Sequence, residues 1–403
     1  MSVSMSRPKA VLFAITVFLT TFVLMWQMYI FIITHDLFIA FPNNGGAVTA
    51  LLGWPPVFTA VVSLLAGWLM RKISSKTELI FGLALFGVFG VTAPIGSNAT
   101  WLLICCFGMA VACGFINTAG TAIVAQVFID ETKRARMLGF YNGILSGMGA
   151  LVSMVGGFLA LHSWQAGFSM FWAAVPALVL CVFFLPNIKP DSGEAGKAAV
   201  KEGPKEKLGA RFWWFFTSQF LYNIAYTFFM TFISLYVAEN ELGSTVFTGT
   251  LTSLASVTAF IAGATFGFFF DKLRRKANYI YYILPIFCFV WAWLAPSVLA
   301  ATIGITVYGF CYGGAFSLLY AYASSCVPIS KVGFVMGLVT FCANVAIWLG
   351  VYVVTWLMGM NGGKITPTYP VAAGILVVAL IIELVWFRKD DKEGFLKVPT
   401  KAA

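Results

Sequence analysis

The chain has 403 residues, 60% of them hydrophobic and only 10% charged, with 40 phenylalanines and a formal net charge of +10. Soluble domains carry roughly 25% charged residues, so a water-soluble fold is excluded and the long apolar runs point to a bilayer. A basic surplus suits either a nucleic acid or a membrane surface, and the placement of the charges decides between them.

Cut at its polar breaks, the sequence divides into twelve apolar spans: 10–33, 46–70, 78–97, 100–127, 136–161, 165–186, 212–238, 246–270, 278–296, 298–326, 332–358 and 369–387. About 20 apolar residues cross a bilayer core as a helix, so each span is predicted to be a transmembrane helix. All 25 Lys and Arg residues fall outside the middle of these spans, and with alternating crossings only Lys364 lies opposite the rest. Cytoplasmic loops hold the Lys/Arg excess. Both termini are therefore expected in the cytoplasm, with the chain multi-pass in a plasma or inner membrane. The basic surplus then serves orientation and contact with anionic lipid, and no nucleic-acid partner is expected.

The first span runs into IITHDLFIAFP (32–42), which sets Asp36 at its outer end. The second, AVTALLGWPPVFTAVVSLLAGWLMRK (47–72), is echoed about 200 positions later by VFTGTLTSLASVTAFIAGATFGFFFDK (246–272). The fourth span and the turn after it, 107–139, have a partner at 308–337, where a glycine-containing helix again runs through a short basic turn to a Met-Gly pair. Between the copies lies DSGEAGKAAVKEGPKEK (191–207), charged and with little to bury, which reads as a solvated linker. The expected domains are an N-terminal six-helix half (1–186), a cytoplasmic linker (187–210), a C-terminal half (211–387) and a cytoplasmic tail (388–403). Parallel repeats of this kind place a binding site at their interface near the midplane.

GWLMRKISSK (67–76) and GFFFDKLRRK (267–276) close the second and eighth spans. With the duplication, they make the chain resemble the major facilitator superfamily, whose loop between helices 2 and 3 has the form G-x-x-x-D-R/K-x-G-R-R/K and recurs more weakly between helices 8 and 9. Gly267, Asp271, Lys272, Arg275 and Lys276 match the second copy, while Arg274 replaces its inner glycine. Gly67, Lys72 and Lys76 match the first, but Arg71 stands in place of the acid and Ser74 in place of the glycine. The resemblance implies an all-α integral membrane protein whose twelve transmembrane helices form two pseudo-symmetric six-helix bundles. It also implies that these loops gate alternating access, with Asp271 capping the start of helix 5 near Arg136. In the first copy Arg71 would instead meet the Lys331 region, a repulsive pairing.

Ionised residues inside a membrane span usually mark ion or substrate paths, and here they are scarce. Glu383 stands five residues before Arg388, close enough to the helix end to snorkel. Neutral polar residues do fall on helical faces: Gln219, Tyr222, Asn223 and Tyr226 form one stripe. Helix 5 offers Asn142 and Ser146, helix 11 Asn344 and Trp348, helix 1 Trp26 and Gln27, helix 4 Asn117 and Thr121, and helix 10 Tyr308 and Tyr312. Cavity lining and helix packing both fit such faces; the resemblance, in which helices 1, 4, 7 and 10 line the cavity, favours lining. An aromatic cavity with amides and hydroxyls suits a neutral or cationic amphipathic solute. An organic anion would lack a countercharge and stays an alternative.

The chain lacks a phosphate-binding G-x-x-x-x-G-K-[ST] loop, and its two histidines, His35 and His162, build no catalytic or metal constellation. No enzyme activity and no cofactor are therefore expected, and the eight cysteines, all inside apolar spans, read as small hydrophobes. The leading expectation is a monomeric secondary transporter of a small organic solute, coupled to a proton or a sodium ion or to neither. Asp36 followed by Leu-Phe-Ile-Ala-Phe-Pro resembles the end of helix 1 in drug/proton antiporters, which makes proton-coupled efflux through Asp36 an alternative. The helix 5 signature of those antiporters is only partly kept: Gly156-Gly157 is present, but Val152-Ser153 replaces its Gly-Pro. A transporter-like sensor is disfavoured by the short linker and tail.

Overall fold

The computed structural model describes residues 15–16, 19–69, 72–96, 98–127, 131–185, 210–273, 275–325 and 329–393. Every regular element among them is helical. In hydrocarbon each backbone N–H and C=O must be satisfied by the protein itself, and a helix does so within its own segment, whereas an open sheet edge is not tolerated. The N-terminal half holds α1 (Trp26–Ile32), α2 (Thr34–Ala40), α3 (Gly45–Leu69), α4 (Ser75–Thr92), α5 (Ala99–Val127), α6 (Glu131–Ala160) and α7 (Ala174–Phe184). The C-terminal half holds α8 (Ala210–Tyr226), α9 (Ile233–Glu239), α10 (Thr245–Leu273), α11 (Arg275–Leu294), α12 (Val298–Ser325), α13 (Ile329–Met360) and α14 (Tyr369–Glu393). Among the described residues eight helices are long and apolar enough to cross a membrane, or up to ten if each of two bent pairs is one span. Two shorter apolar helices, Ile144–Ala160 and Tyr279–Leu294, stand at the places of the fifth and ninth predicted spans.

The bent pairs depart from the straight spans read in the sequence. α1 and α2 meet at 59°, α8 and α9 at 47°. The first apolar stretch thus continues past residue 33 as α2, and Asp36 lies in the first turn of that short helix. In the second pair a π-turn at Thr227–Thr231 precedes the bend; the extra residue in such a turn breaks the regular hydrogen-bond ladder and kinks the helix. The two bends touch. The His35 backbone N–H donates to the Ser234 hydroxyl at 3.2 Å, and these residues stand 199 positions apart, the offset of the duplication.

Within the N-terminal half α5 packs on α3 and α4, and α4 on α7; in the other half α12 packs on α10 and α11, while α14 packs on α8 and α11. The halves meet through α6 against α10 and through α3 against α13, two pairs that the duplication interchanges. Small residues make the first contact possible. A Cβ on Gly249 would stand 2.6 Å from the Ser153 carbonyl oxygen and 3.1 Å from the Gly157 Cα, so this backbone approach requires glycine. Beside it Ser253 Oγ donates to the Ala150 carbonyl at 2.8 Å. In the second contact the Trp54 indole N–H donates to Tyr352 Oη at 3.0 Å, and the Trp54 and Trp348 rings meet edge to face at 5.4 Å.

These contacts join the halves over the part of the bundle that bears Phe41 and Trp164. Gly67 lies towards the opposite, Lys72 end. It is exposed, with nothing among the described residues within 4 Å of where a Cβ would stand.

A buried amide and tyrosine cluster beside a cavity

The α8 stripe is buried along its whole length: Gln219, Tyr222, Asn223 and Tyr226 are each less than 10% exposed. Its polar atoms are paired in sequence. Tyr312 Oη donates to Asn223 Oδ1 at 3.2 Å, Asn223 Nδ2 to the Gln219 carbonyl at 2.8 Å, and Gln219 Nε2 to Tyr282 Oη at 2.9 Å. Tyr222 Oη donates to the Tyr281 carbonyl at 3.2 Å. Behind the amides the tyrosines pack ring on ring, Tyr226 against Tyr312 at 4.4 Å and Tyr222 against Tyr308 at 6.1 Å. Spacing of three and four residues produces this split: Tyr222 and Tyr226 turn toward α11 and α12, while Gln219 and Asn223 also border open space.

That space is a cavity of about 210 Å³, its mouth included, walled by Phe216, Gln219, Phe220, Asn223, Leu319, Val339, Cys342 and Ala343. It lies between α8, α12 and α13, and none of these wall residues is charged. Of this volume, only about 10 Å³ is open to the centre of a water-sized molecule, about enough for one water, so this conformation holds no solute-sized space.

The structure gathers part of the predicted site and disperses the rest. Gln219 and Asn223 reach the cavity; Tyr222, Tyr226 and Tyr308 pack behind it, and Tyr312 joins them through Asn223. Trp348 belongs to the seam with Trp54 and Tyr352, its buried indole N–H without a hydrogen-bond partner among the described residues. Asn344 Nδ2 is turned back to the Thr340 carbonyl of its own helix at 2.8 Å. In the N-terminal half Trp26 is buried, Gln27, Asn117 and Ser146 are half-buried, and Thr121 Oγ1 donates to the Asn117 carbonyl at 3.0 Å. None of these N-terminal residues walls the cavity. Asp36 is half-buried at the Phe41 end, its carboxylate 3.8 Å from His35 Nδ1.

Of the gate-loop residues, Lys72 stacks its ammonium over the Trp68 ring at 4.6 Å. Lys76 donates at 2.8 Å to the carbonyls of both Val182 and Leu185, so it caps the C-terminal end of α7 within its own half. Arg71 and the side chains of Arg136, Gly267, Asp271, Lys272, Arg275 and Asn142 lie outside the described residues.

Two acids correct the sequence reading. Glu383 does not reach the surface: it is 1% exposed and accepts a hydrogen bond from the Ser218 hydroxyl. Glu78, which the sequence reading passed over, lies in a candidate span with its carboxylate fully buried and neither oxygen hydrogen-bonded among the described residues. Ser218 and Tyr282 were missed because a serine ahead of the stripe and a tyrosine in an aromatic run look ordinary until helix packing sets them side by side.

Twelve predicted spans, two repeat-related seams and an uncharged cavity within the membrane-spanning bundle define a polytopic helical membrane protein built as two halves. Comparison with known proteins gives the family. The family model for the Major Facilitator Superfamily matches residues 17–351 and again 215–402, and the chain belongs to that superfamily. It is a membrane transporter and not an enzyme. Curated relatives include the multidrug resistance protein MdtL of Escherichia coli O9:H4 (strain HS) and that of Shigella flexneri, each 24% identical over 349 residues and covering 81% of both chains. Among solved structures, a bacterial homolog of the human lysosomal transporter Spinster, inward-facing and occupied, superposes with a TM-score of 0.74 at 14% identity, covering 95% of this chain and 98% of that one. A D-xylose-proton symporter gives 0.72 at 15% identity, covering 92% and 96% of the two chains. The nucleoside transporter NupG gives 0.73 at 15% identity, covering 93% and 100%. At these identities the structures share the fold.

Proposed function

We propose that the chain moves a small organic solute, neutral or cationic and amphipathic, between its two halves by alternating access. The observation that carries this reading is the pair of amides, Gln219 and Asn223, held by tyrosine hydroxyls on the wall of an uncharged cavity. Fixed amides orient a polar ligand, whereas an anion entering this space would leave water without a countercharge. With the Lys/Arg-rich loops and both termini in the cytoplasm, the Phe41 end faces outward. The seams then close the outer side, and the conformation is inward-facing. Twelve crossings, an inner-membrane location and a monomeric state complete the proposal.

A second reading, proton-coupled efflux, draws on the multidrug resistance relatives and on Asp36 beside His35 at the Phe41 end. The test of the leading reading is a thermal-shift series on the purified protein with matched neutral, cationic and anionic aromatic compounds. Stabilisation by neutral or cationic members that is lost in Asn223→Ala supports it; stabilisation by anions alone refutes it.

A further inference from the structure

We propose that Glu383 is a proton-binding site of the C-terminal half, wired to the cavity through Ser218, Tyr282 and Gln219. The donors line up in one direction. Gln219 Nε2 donates to Tyr282 Oη at 2.9 Å, Tyr282 Oη to Ser218 Oγ at 3.4 Å, and Ser218 Oγ to the Glu383 carboxylate. These three donations run toward the acid, the polarity an ionised acceptor imposes. The far end of the chain is Gln219 on the cavity wall, whose backbone carbonyl also accepts from Asn223.

Protonation reverses this chain. A proton adds to a carboxylate oxygen of Glu383, and the new O–H donates to Ser218 Oγ. The Ser218 hydrogen turns to Tyr282 Oη, and the Tyr282 hydrogen turns to the Gln219 side chain. Gln219 must then offer its carbonyl oxygen in place of its NH₂, so its amide rotates at the cavity wall. No covalent bond other than the O–H of Glu383 forms or breaks. The inference rests on the transporter reading of the cavity and adds to it a site for the coupling ion on the C-terminal half, distinct from Asp36.

The elements packed on α14 are α8, α11 and the short turn Thr366–Thr368 at its start, which carries no titratable group. Their titratable groups toward this end are Tyr222 on α8 and Tyr279, Tyr281 and Tyr282 on α11. Arg211, Arg275, Lys276, Arg388 and Lys389 stand toward the same ends of these helices, with side chains outside the described residues.

The experiment is proton uptake by detergent-purified full-length protein in weak buffer, followed with a pH indicator on an acid pulse. Wild type should take up one proton more per chain than Glu383→Gln, and Asp36→Asn should retain that proton. Ser218→Ala and Tyr282→Phe should keep it but move its midpoint upward, Ser218→Ala by about one pH unit, because each removes a hydrogen bond favouring the ionised form. Midpoints are read in chains that still contain Glu383, so they decide the matter even if Glu383→Gln fails to fold. Equal uptake by wild type and Glu383→Gln, or unmoved midpoints in both hydroxyl variants, overturns the proposal and makes Glu383 a fixed structural charge. Loss of ligand-induced thermal shifts with the proton count intact would instead count against the cavity reading.

Discussion

Substituting Gly249 by valine tests whether the α6–α10 seam holds the present conformation. A Cβ at this position would stand 2.6 Å from the Ser153 carbonyl oxygen and 3.1 Å from the Gly157 Cα. Both are backbone atoms, so relief requires the helices to separate; no rotamer change suffices. Overpacking of this kind costs about 1–3 kcal/mol, and the cost falls on the conformation in which the seam is closed. That energy shifts a two-state equilibrium by about 5- to 150-fold. Spin labels on Asn43 and Lys364, both exposed at the Phe41 end of opposite halves, would report the shift as growth of a longer-distance population. Gly374→Ala is the control, since nothing lies within 4 Å of that position. An unchanged distance distribution in folded Gly249→Val would refute the argument that glycine-limited backbone contact seals this end.

Asn223→Ala removes the acceptor of the Tyr312 hydroxyl and should lower stability by about 1–3 kcal/mol, read as the thermal transition, while also weakening ligand-induced shifts. Lys76→Met should cost about 0.3–1 kcal/mol by uncapping α7, with Lys76→Arg retaining most of it; equal transitions in the methionine variant and wild type would show that the cap contributes nothing. In a Cys326→Ser background Cys342, half-buried on the cavity wall, should react with a permeant maleimide well before the buried Cys105, Cys106, Cys113, Cys181, Cys288 and Cys311. Cavity ligands should slow that labelling, and uniform reactivity of all seven thiols would place the cavity elsewhere.

Much of this protein was legible in the sequence because the bilayer reads one-dimensional properties. Run length, apolar content and the position of each Lys and Arg depend on neighbours along the chain, and they yielded the helical class and, of the twelve spans, the eight helices and two bent pairs long and apolar enough to cross among the described residues. The stripe of Gln219, Tyr222, Asn223 and Tyr226 was visible for the same reason, since a helical face is a local periodicity. What that face meets is not local. Whether Tyr222 bordered a cavity or the α11 backbone depended on how α8, α11 and α12 pack, and packing sent the tyrosines inward and left the amides at open space. Glu383 was misread as snorkelling because helix position sets its depth, whereas only the approach of α8 and α11 supplied the hydroxyls that let a carboxylate remain buried. The bends after Ile32 and after the Thr227–Thr231 π-turn, the Gly249–Gly157 contact and the orphaned Glu78 likewise exist only between elements. Sequence determined which segments enter the membrane, because transfer into lipid is summed residue by residue. Tertiary structure decided which polar atoms find partners, because each hydrogen bond needs two helices placed within about 3 Å of each other's side chains.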